Sequence, residues 1–259
     1  MGIKRMVKVA AETVGYQIKK KTGAFLAPNH EVEAVIKTIS EFTMLPAERL
    51  FSLYDQVVFC EKNDIKGALV ECGVWKGGSV ALMAAASMRY ARTHRQIHLF
   101  DSFSEICEPD SSVDGQRAID ESSRWSDDAA GKLVPLKGIY DAIGGPGTLD
   151  GNRVLLEQKI GYPVDFLHYH VGWFQDTVPK DSASVGAIAV LRLDGDWYAS
   201  TKICLDYLYD HVVKGGFVII DDYGTYEGCQ KAVDEFLHAR GINVYLNPVD
   251  AGCRYFSKP

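Results

Sequence analysis

Carboxylates follow two apolar stretches in the second half of the chain. The stretch at residues 187–193 ends in Asp194, and the stretch at residues 217–220 ends in Asp221 and Asp222. If both stretches are neighbouring parallel strands, their carboxyl ends meet at one sheet edge and the three acids converge there. Like charges at one site repel unless a cation lies between them, and an all-oxygen ligand set favours Mg²⁺. Each acid taken alone could equally cap a helix or pair with Arg or Lys.

A glycine-rich turn lies nearer the N-terminus, between the apolar stretch at residues 68–72 and a helical pattern that begins at Ser79. Its glycines let the backbone turn sharply and approach a ligand, and the helix N-terminus offers free N–H groups. The glycine spacing is not GxGxxG, so the dinucleotide fingerprint is not met. A tight turn without a ligand is the alternative.

Asp101 ends the next apolar stretch and is followed by Ser102. An acid at the end of the second strand of a doubly wound sheet is placed to accept hydrogen bonds from two ribose hydroxyls. Together with the glycine-rich turn, Asp101 indicates an adenosine-containing ligand. Capping of a turn or helix is the alternative for Asp101 alone.

The elements that position these residues alternate between strand and helix patterns. This alternation predicts an α/β fold with a doubly wound, Rossmann-like, mostly parallel sheet. The last two short strands follow the final helix and predict an antiparallel edge. The predicted strands are residues 68–72, 96–100, 164–169, 187–193, 217–220, 243–246 and 254–256.

The domain organisation follows from the same pattern. Residues 1–62 are predicted as an N-terminal helical arm and cap, and residues 63–259 as one domain. An insertion at about residues 102–152 interrupts the alternation with a glycine cluster and few apolar repeats. Long insertions in compact domains are commonly functional, so we expect a lid that closes over a substrate.

Composition and charge exclude several classes of function. The net charge of −6 argues against a nucleic-acid surface. No apolar stretch is long enough to span a membrane, and the N-terminus lacks the pattern of a signal peptide. The six cysteines form no CxxC pair, so we expect reduced thiols in a soluble, cytoplasmic protein. The basic N-terminal arm could pack against a second subunit, and a solvated helix is the alternative for the arm. We expect a homo-oligomer.

The sequence resembles the macrocin O-methyltransferase (TylF-like) family of sugar O-methyltransferases. The matching segments are residues 70–78 (VECGVWKGG), 101–103 (DSF), 172–179 (GWFQDTVP), 191–196 (LRLDGD) and 215–223 (GGFVIIDDY). The resemblance implies a class I methyltransferase fold that uses S-adenosylmethionine and Mg²⁺ to methylate a sugar hydroxyl, on a nucleotide sugar or a glycosylated natural product. It also implies a role in antibiotic biosynthesis. The insertion does not clearly match the lid of the family.

The resemblance also implies roles for individual residues. The cofactor site would comprise Met44 from a closing helical segment, Gly172 and Trp173 from a side wall, Glu71, Gly73 and Ser79 at the methionine end, and Asp101 and Ser102 at the ribose. The metal ligands match Asp194, Asp221 and Asp222, and the catalytic base matches Asp196. Asp196 lies two positions beyond a metal ligand, close enough to take the proton of the same hydroxyl.

Two other functions are compatible with these residues. A Mg²⁺-dependent methyltransferase of a catechol-type aromatic diol would also present two adjacent oxygens to a metal. A non-catalytic nucleotide-binding module would keep the fold, but it would have no need of the metal acids, which are all present here. A nicotinamide dehydrogenase ranks lower because the glycine spacing differs from its fingerprint.

Overall fold

The computed structural model describes residues 30–259. The chain divides into two units, Met1–Ala34 and Val35–Pro259. Among the described residues, two helices precede the first strand, as the sequence predicts: α1 (His30–Ile39) and α2 (Ala47–Lys62). The first 29 residues of the predicted arm lie outside the described part of the chain. The predicted domain boundary at residue 62 stays a prediction.

Seven strands form one mixed sheet in the order β3-β2-β1-β4-β5-β7-β6. Neighbours among β1 to β5 pair in parallel, whereas β7 runs antiparallel to both β5 and β6. The predicted mostly parallel sheet with an antiparallel edge is therefore confirmed. The strands are β1 (Ala68–Cys72), β2 (Ile97–Asp101), β3 (Leu167–Val171), β4 (Ile188–Leu193), β5 (Val212–Ile220), β6 (Asn247–Pro248) and β7 (Arg254–Ser257).

Helices connect the parallel strands and cover the sheet. The remaining α-helices are α3 (Gly78–Tyr90), α4 (Gly115–Ser122), α5 (Leu149–Arg153), α6 (Phe174–Val185), α7 (Tyr198–Leu208) and α8 (Glu227–Ala239). Every residue of β1 and β4 is buried, which explains their continuous apolar character. Side chains of α6, α7 and α8 pack with β1, β4 and β5 in one apolar core.

The register of the central strands places the acidic residues. Cys72 of β1 pairs with Leu193 of β4, and Leu193 pairs with Ile220 of β5. The residues that follow these strands therefore emerge side by side at one edge of the sheet. Asp194 and Asp221 are the next residues after β4 and β5.

Three predicted strands differ from the structure. The fifth is predicted at residues 217–220, but β5 begins at Val212, which pairs with Ile188 of β4. The third was predicted from residue 164, but Val164–Phe166 form a 3₁₀ turn after Pro163 and the strand begins at Leu167. The strand predicted at residues 243–246 is instead Asn247–Pro248. Apolar residues at 242, 244 and 246 pack against the core without joining the sheet, which explains the misleading pattern.

The insertion is ordered into several short elements. It contains α4, a 3₁₀ turn at Asp141–Ile143 and the start of α5, which continues as a π-helix over Val154–Ile160. The indole Nε1–H of Trp197 donates to the carbonyl of Cys107 at 3.0 Å, and the N–H of Tyr198 donates to Asp114 at 2.6 Å. These contacts attach the insertion to the segment that follows β4.

All six cysteines are free and buried, as expected from their spacing. Among residues 30–259, none of the helices combines the length and apolarity that crossing a bilayer requires.

Candidate active site

Three carboxylates converge at the carboxyl ends of β4 and β5. Asp194, Asp221 and Asp222 each offer an oxygen atom, and these atoms lie within 4.8 Å of one another. Asp221 and Asp222 are buried, whereas Asp194 is partly exposed. The strand register brings together the acids that the sequence predicts at one edge.

Two arginines partly compensate this negative charge. Arg192 is 2% exposed and donates from Nη1 to Asp194 at 2.8 Å and from Nη2 to Asp221 at 2.6 Å. Arg49 of α2 donates from Nη1 to the other oxygen of Asp221 and pairs through Nε with Asp250 at 2.7 Å. Each arginine thus binds Asp221, and the carboxylates still outnumber the cations that contact them.

Asp222 retains unused ligand capacity. Its Oδ2 atom is buried and has no hydrogen-bond partner among the described residues. Burial, reinforced by the charges of Asp196 and Asp194, raises the pKa of Asp222 well above its usual range. Burial also raises the pKa of Asp221 to about 6, although Arg192 opposes the shift. Hard oxygen donors and an orphaned buried carboxylate oxygen fit a site for a divalent cation such as Mg²⁺.

The turn after β1 is fixed from behind by polar side chains. Glu71 is fully buried and accepts hydrogen bonds from the Ser79 hydroxyl at 2.6 Å and from Arg192. Burial raises the pKa of Glu71 to about 7. Gly73 has a φ of +90°, and a Cβ atom there would lie 1.7 Å from the carbonyl oxygen of Asp194. The turn therefore needs glycine at this position because it packs directly against the end of β4.

Asp101 links the turns that follow β1 and β2. Its Oδ2 accepts from the N–H groups of Val74 at 2.6 Å and Trp75 at 3.1 Å, and its Oδ1 accepts from Phe103 at 2.6 Å. Trp75 and Phe103 both have positive φ angles, 47° and 51°. The capping role left open from the sequence is therefore present, and it holds two strained turns in place.

A cavity of about 420 Å³ opens at the carboxyl ends of the parallel strands. Its lining includes the predicted base, Asp196, and seven of the predicted cofactor and metal residues: Met44, Gly73, Asp101, Ser102, Gly172, Trp173 and Asp194. Glu71, Ser79, Asp221 and Asp222 lie outside this lining. The structure thus divides the predicted residues into a cavity wall and a supporting layer beneath it.

Asp196 follows β4 in a left-handed conformation, with a φ of 59°. This conformation is uncommon for a residue other than glycine and is frequent at functional sites. Burial, reinforced by Asp194 and Asp221, raises the pKa of Asp196 well above its usual range. A cation at the three carboxylates would offset this repulsion.

Several residues of the site were missed from the sequence. Arg192 had a local signal, since it is a charge flanked by leucines in a buried strand. Arg49 had none, because its contact with Asp221 joins positions 172 residues apart. The insertion contributes Glu105, Glu121 and Tyr140 to the cavity wall, and its irregular sequence gives no periodicity that would reveal them.

The strand order and a cavity over the carboxyl ends of the strands define a class I methyltransferase architecture, and comparison with known proteins agrees. Residues 37–258 match the model of the macrocin-O-methyltransferase (TylF) family. The chain belongs to this family and is an O-methyltransferase.

Three similar proteins illustrate the relationship. A tetracenomycin-C rhamnosyl 4'-O-methyltransferase of Streptomyces olivaceus is 34% identical over 80% of this chain and 72% of its own. A demethyldecarbamoylnovobiocin O-methyltransferase of Streptomyces niveus is 34% identical over 83% of this chain and 75% of its own. The solved structure of the O-methyltransferase NovP superposes with a TM-score of 0.70 at 26% identity, covering 89% of this chain and 97% of that one.

Proposed function

We propose that this chain is an S-adenosylmethionine-dependent methyltransferase of a sugar hydroxyl, with Mg²⁺ held by Asp194, Asp221 and Asp222. The observation that carries the proposal is the cluster of three carboxylates within 4.8 Å beside the cavity at the strand ends. Its orphaned Asp222 oxygen is available to a cation. The name of one relative, which describes 4'-O-methylation of a rhamnosyl-tetracenomycin, supports the sugar acceptor.

The cavity wall would bind the cofactor. Gly73 follows β1 and Asp101 ends β2, at the sheet edge where the adenosine and methionine parts of such a cofactor would lie. Gly172, Trp173 and Met44 would enclose it from the side; Met44 is 55% exposed and available to close over a ligand. Glu71 and Ser79 act behind the turn by holding its shape, since their hydrogen bond is buried.

Methyl transfer forms a carbon–oxygen bond to the acceptor and breaks the carbon–sulfur bond of the sulfonium. When bound, Mg²⁺ supplies a Lewis acid that lowers the pKa of the acceptor hydroxyl. Asp196 lines the same cavity as Asp194 and would accept the hydroxyl proton. The cavity wall would hold the hydroxyl oxygen in line with the methyl group, which reduces the entropic cost of reaction.

Product analysis by mass spectrometry tests this function. The purified protein is incubated with S-adenosylmethionine and matched panels of glycosides, nucleotide sugars and catechols, with Mg²⁺ or with EDTA. We expect a mass gain of one methyl group on a sugar, lost in EDTA and in Asp222→Asn, and retained in the surface control Asp206→Asn. Methylation of catechols alone, or full activity in rigorously metal-free protein, would contradict the proposal.

Cellular location and assembly are also proposals. Six free, buried cysteines support a reducing compartment, which is the cytoplasm in most cells. We further propose a homo-oligomer, which light scattering of the full chain would test; a strictly monomeric mass at high concentration would exclude it.

A further inference from the structure

The charge of the cavity wall is strongly one-sided. Its lining contains five acidic residues, and no Lys, Arg or His occurs among the described residues that line it. Asp101, Asp194 and Asp196 belong to the strand ends already described. Glu105 and Glu121 come from the insertion and have no role in the proposed cofactor or metal sites.

Glu121 has partners for both of its oxygens. Arg117 donates to Oε1 at 2.8 Å, and the Tyr226 hydroxyl donates to Oε2 at 2.6 Å. These bonds connect α4 to the start of α8 across the cavity rim. Glu121 therefore has a structural explanation without a ligand.

Glu105 has a partner for one oxygen alone. It is 7% exposed, and its Oε1 accepts the backbone N–H of Gly138 at 3.0 Å. Its Oε2 is buried and has no hydrogen-bond partner among the described residues. A buried carboxylate oxygen without a donor is costly, so such a group in a cavity wall is suited to a ligand that brings the donor.

Glu105 shares this cavity with the strand-end acids Asp194 and Asp196. Burial and the charges of Asp196, Asp101, Asp194 and Glu105 together raise the pKa of the Tyr140 phenol well above its usual range. Tyr140 is itself a lining residue. Glu105, Tyr140 and Asp196 line the same cavity, so an acceptor bound there beside Asp196 shares its space with Glu105.

We propose that Glu105 selects the acceptor by accepting a hydrogen bond from a hydroxyl or ammonium group of an unphosphorylated glycoside, and that the acidic wall excludes nucleotide sugars. This proposal rests on the proposed sugar methyltransferase function. A pyrophosphate brings two or more negative charges, and it would face repulsion from the acidic wall, whose described lining residues include no cationic side chain. A glycoside brings donors and no opposing charge.

A variant of Glu105 tests the hydrogen bond. In Glu105→Gln, the amide oxygen must take the position of Oε1 to accept the hydrogen bond from the Gly138 N–H. The amide NH₂ group then replaces Oε2, so a hydrogen-bond donor faces the donor group of the ligand and the bond cannot form. Glu108→Gln is the matched control, because Glu108 also has a buried, unpartnered Oε2 but does not line the cavity. The probes are 4-nitrophenyl α-L-rhamnoside and thymidine-diphosphate-L-rhamnose, with corresponding glucose and galactose pairs.

Binding is measured by calorimetry on Mg²⁺-loaded protein saturated with S-adenosylhomocysteine, and turnover is measured with S-adenosylmethionine. We expect wild-type protein to bind at least one glycoside about tenfold or more tightly than its nucleotide-sugar counterpart. Glu105→Gln should raise the Kd and KM of that glycoside by about tenfold or more, with kcat and S-adenosylhomocysteine affinity nearly unchanged. Glu108→Gln should change none of these values.

Three results would overturn the proposal. Equal or tighter binding of the nucleotide sugars by wild-type protein would do so without any variant. A loss of S-adenosylhomocysteine affinity in Glu105→Gln would place Glu105 in the cofactor site instead. Unchanged glycoside affinity in a folded Glu105→Gln would show that the hydrogen bond is not made. None of these three results would contradict the sugar methyltransferase function, because the mass-spectrometric product assay measures methyl transfer to any sugar independently of Glu105.

Discussion

Replacement of Arg192 by methionine should destabilise the protein in a way that a divalent cation selectively offsets. Arg192 is 2% exposed and donates to Glu71, Asp194 and Asp221. Its removal leaves these carboxylates without their shared counter-charge, and breaking a buried ion pair on one side costs about 3–5 kcal/mol. We expect Arg192→Met to lose free energy of unfolding in this range in EDTA.

Mg²⁺ should recover part of that loss. A ligand at one hundred times its Kd stabilises the native state by about 2.7 kcal/mol, and removal of a competing guanidinium should tighten binding of the cation. Mg²⁺ should therefore raise the unfolding free energy of Arg192→Met by more than that of wild-type protein. The assay is urea denaturation followed by tryptophan fluorescence, with EDTA or with saturating Mg²⁺.

Arg95 provides the matched control. It is also largely buried and pairs with Glu61 at 2.6 Å, with further bonds to the carbonyls of Gly67 and Ile65. Arg95→Met should lose comparable stability, but its gain with Mg²⁺ should equal that of wild-type protein. Equal cation effects in both variants, or a loss below about 1 kcal/mol in Arg192→Met, would refute the reasoning.

Three further predictions address other parts of the molecule. Asp101→Ala should weaken S-adenosylmethionine binding in calorimetry and lower stability by about 1–3 kcal/mol, because three backbone N–H groups lose their acceptor; unchanged affinity in a folded variant would remove Asp101 from the cofactor site. Burial, with His168 and His170 nearby, lowers the pKa of His98 from 6.5 to about 3. Below pH 6.5 this histidine therefore binds a proton in the unfolded chain but stays neutral in the native protein, so about 2 kcal/mol of stability should be lost between pH 7 and pH 5. In denaturation experiments at both pH values, His98→Phe should lack this part of the loss. A pH dependence identical to that of wild-type protein would contradict the prediction. Asp196→Asn should lower kcat by about 10²–10⁴-fold with metal and cofactor affinity retained; loss of metal binding would instead make Asp196 a ligand.

The sheet and the acidic edge were predictable because both follow from local patterns. Strand β4 and the last three residues of β5 are buried, largely apolar stretches, and Asp194 and Asp221 come directly after them. Parallel strands expose their carboxyl ends at one edge, so residue order predicts that Asp194 and Asp221 converge if their strands are neighbours. The structure adds that β4 and β5 are neighbours, and their register sets the distance between Asp194 and Asp221.

The rest of the site depends on contacts distant in sequence. Arg49 reaches Asp221 from α2, and Glu105 is oriented by the backbone of Gly138 in the same irregular insertion. Neither contact has a periodic signature. Arg49 binds a residue 172 positions away, and the insertion that contains Glu105 is built from short helices, turns and isolated bridges. The sequence predicts the hydrogen bonds from Asp101 to the two turns only as one of two alternatives. A carboxylate at the end of a strand can accept hydrogen bonds from ribose hydroxyls or from the backbone N–H groups of a turn equally well.

The central claim is that the three strand-end carboxylates hold one divalent cation. Titration of metal-stripped protein with Mn²⁺, followed by the loss of the free-ion electron paramagnetic resonance signal, tests it directly. We predict one saturable site per chain that Mg²⁺ displaces, that Asp222→Asn abolishes and that the surface control Asp206→Asn retains. Absence of saturable binding in wild-type protein, or binding unchanged in a folded Asp222→Asn, would contradict the account.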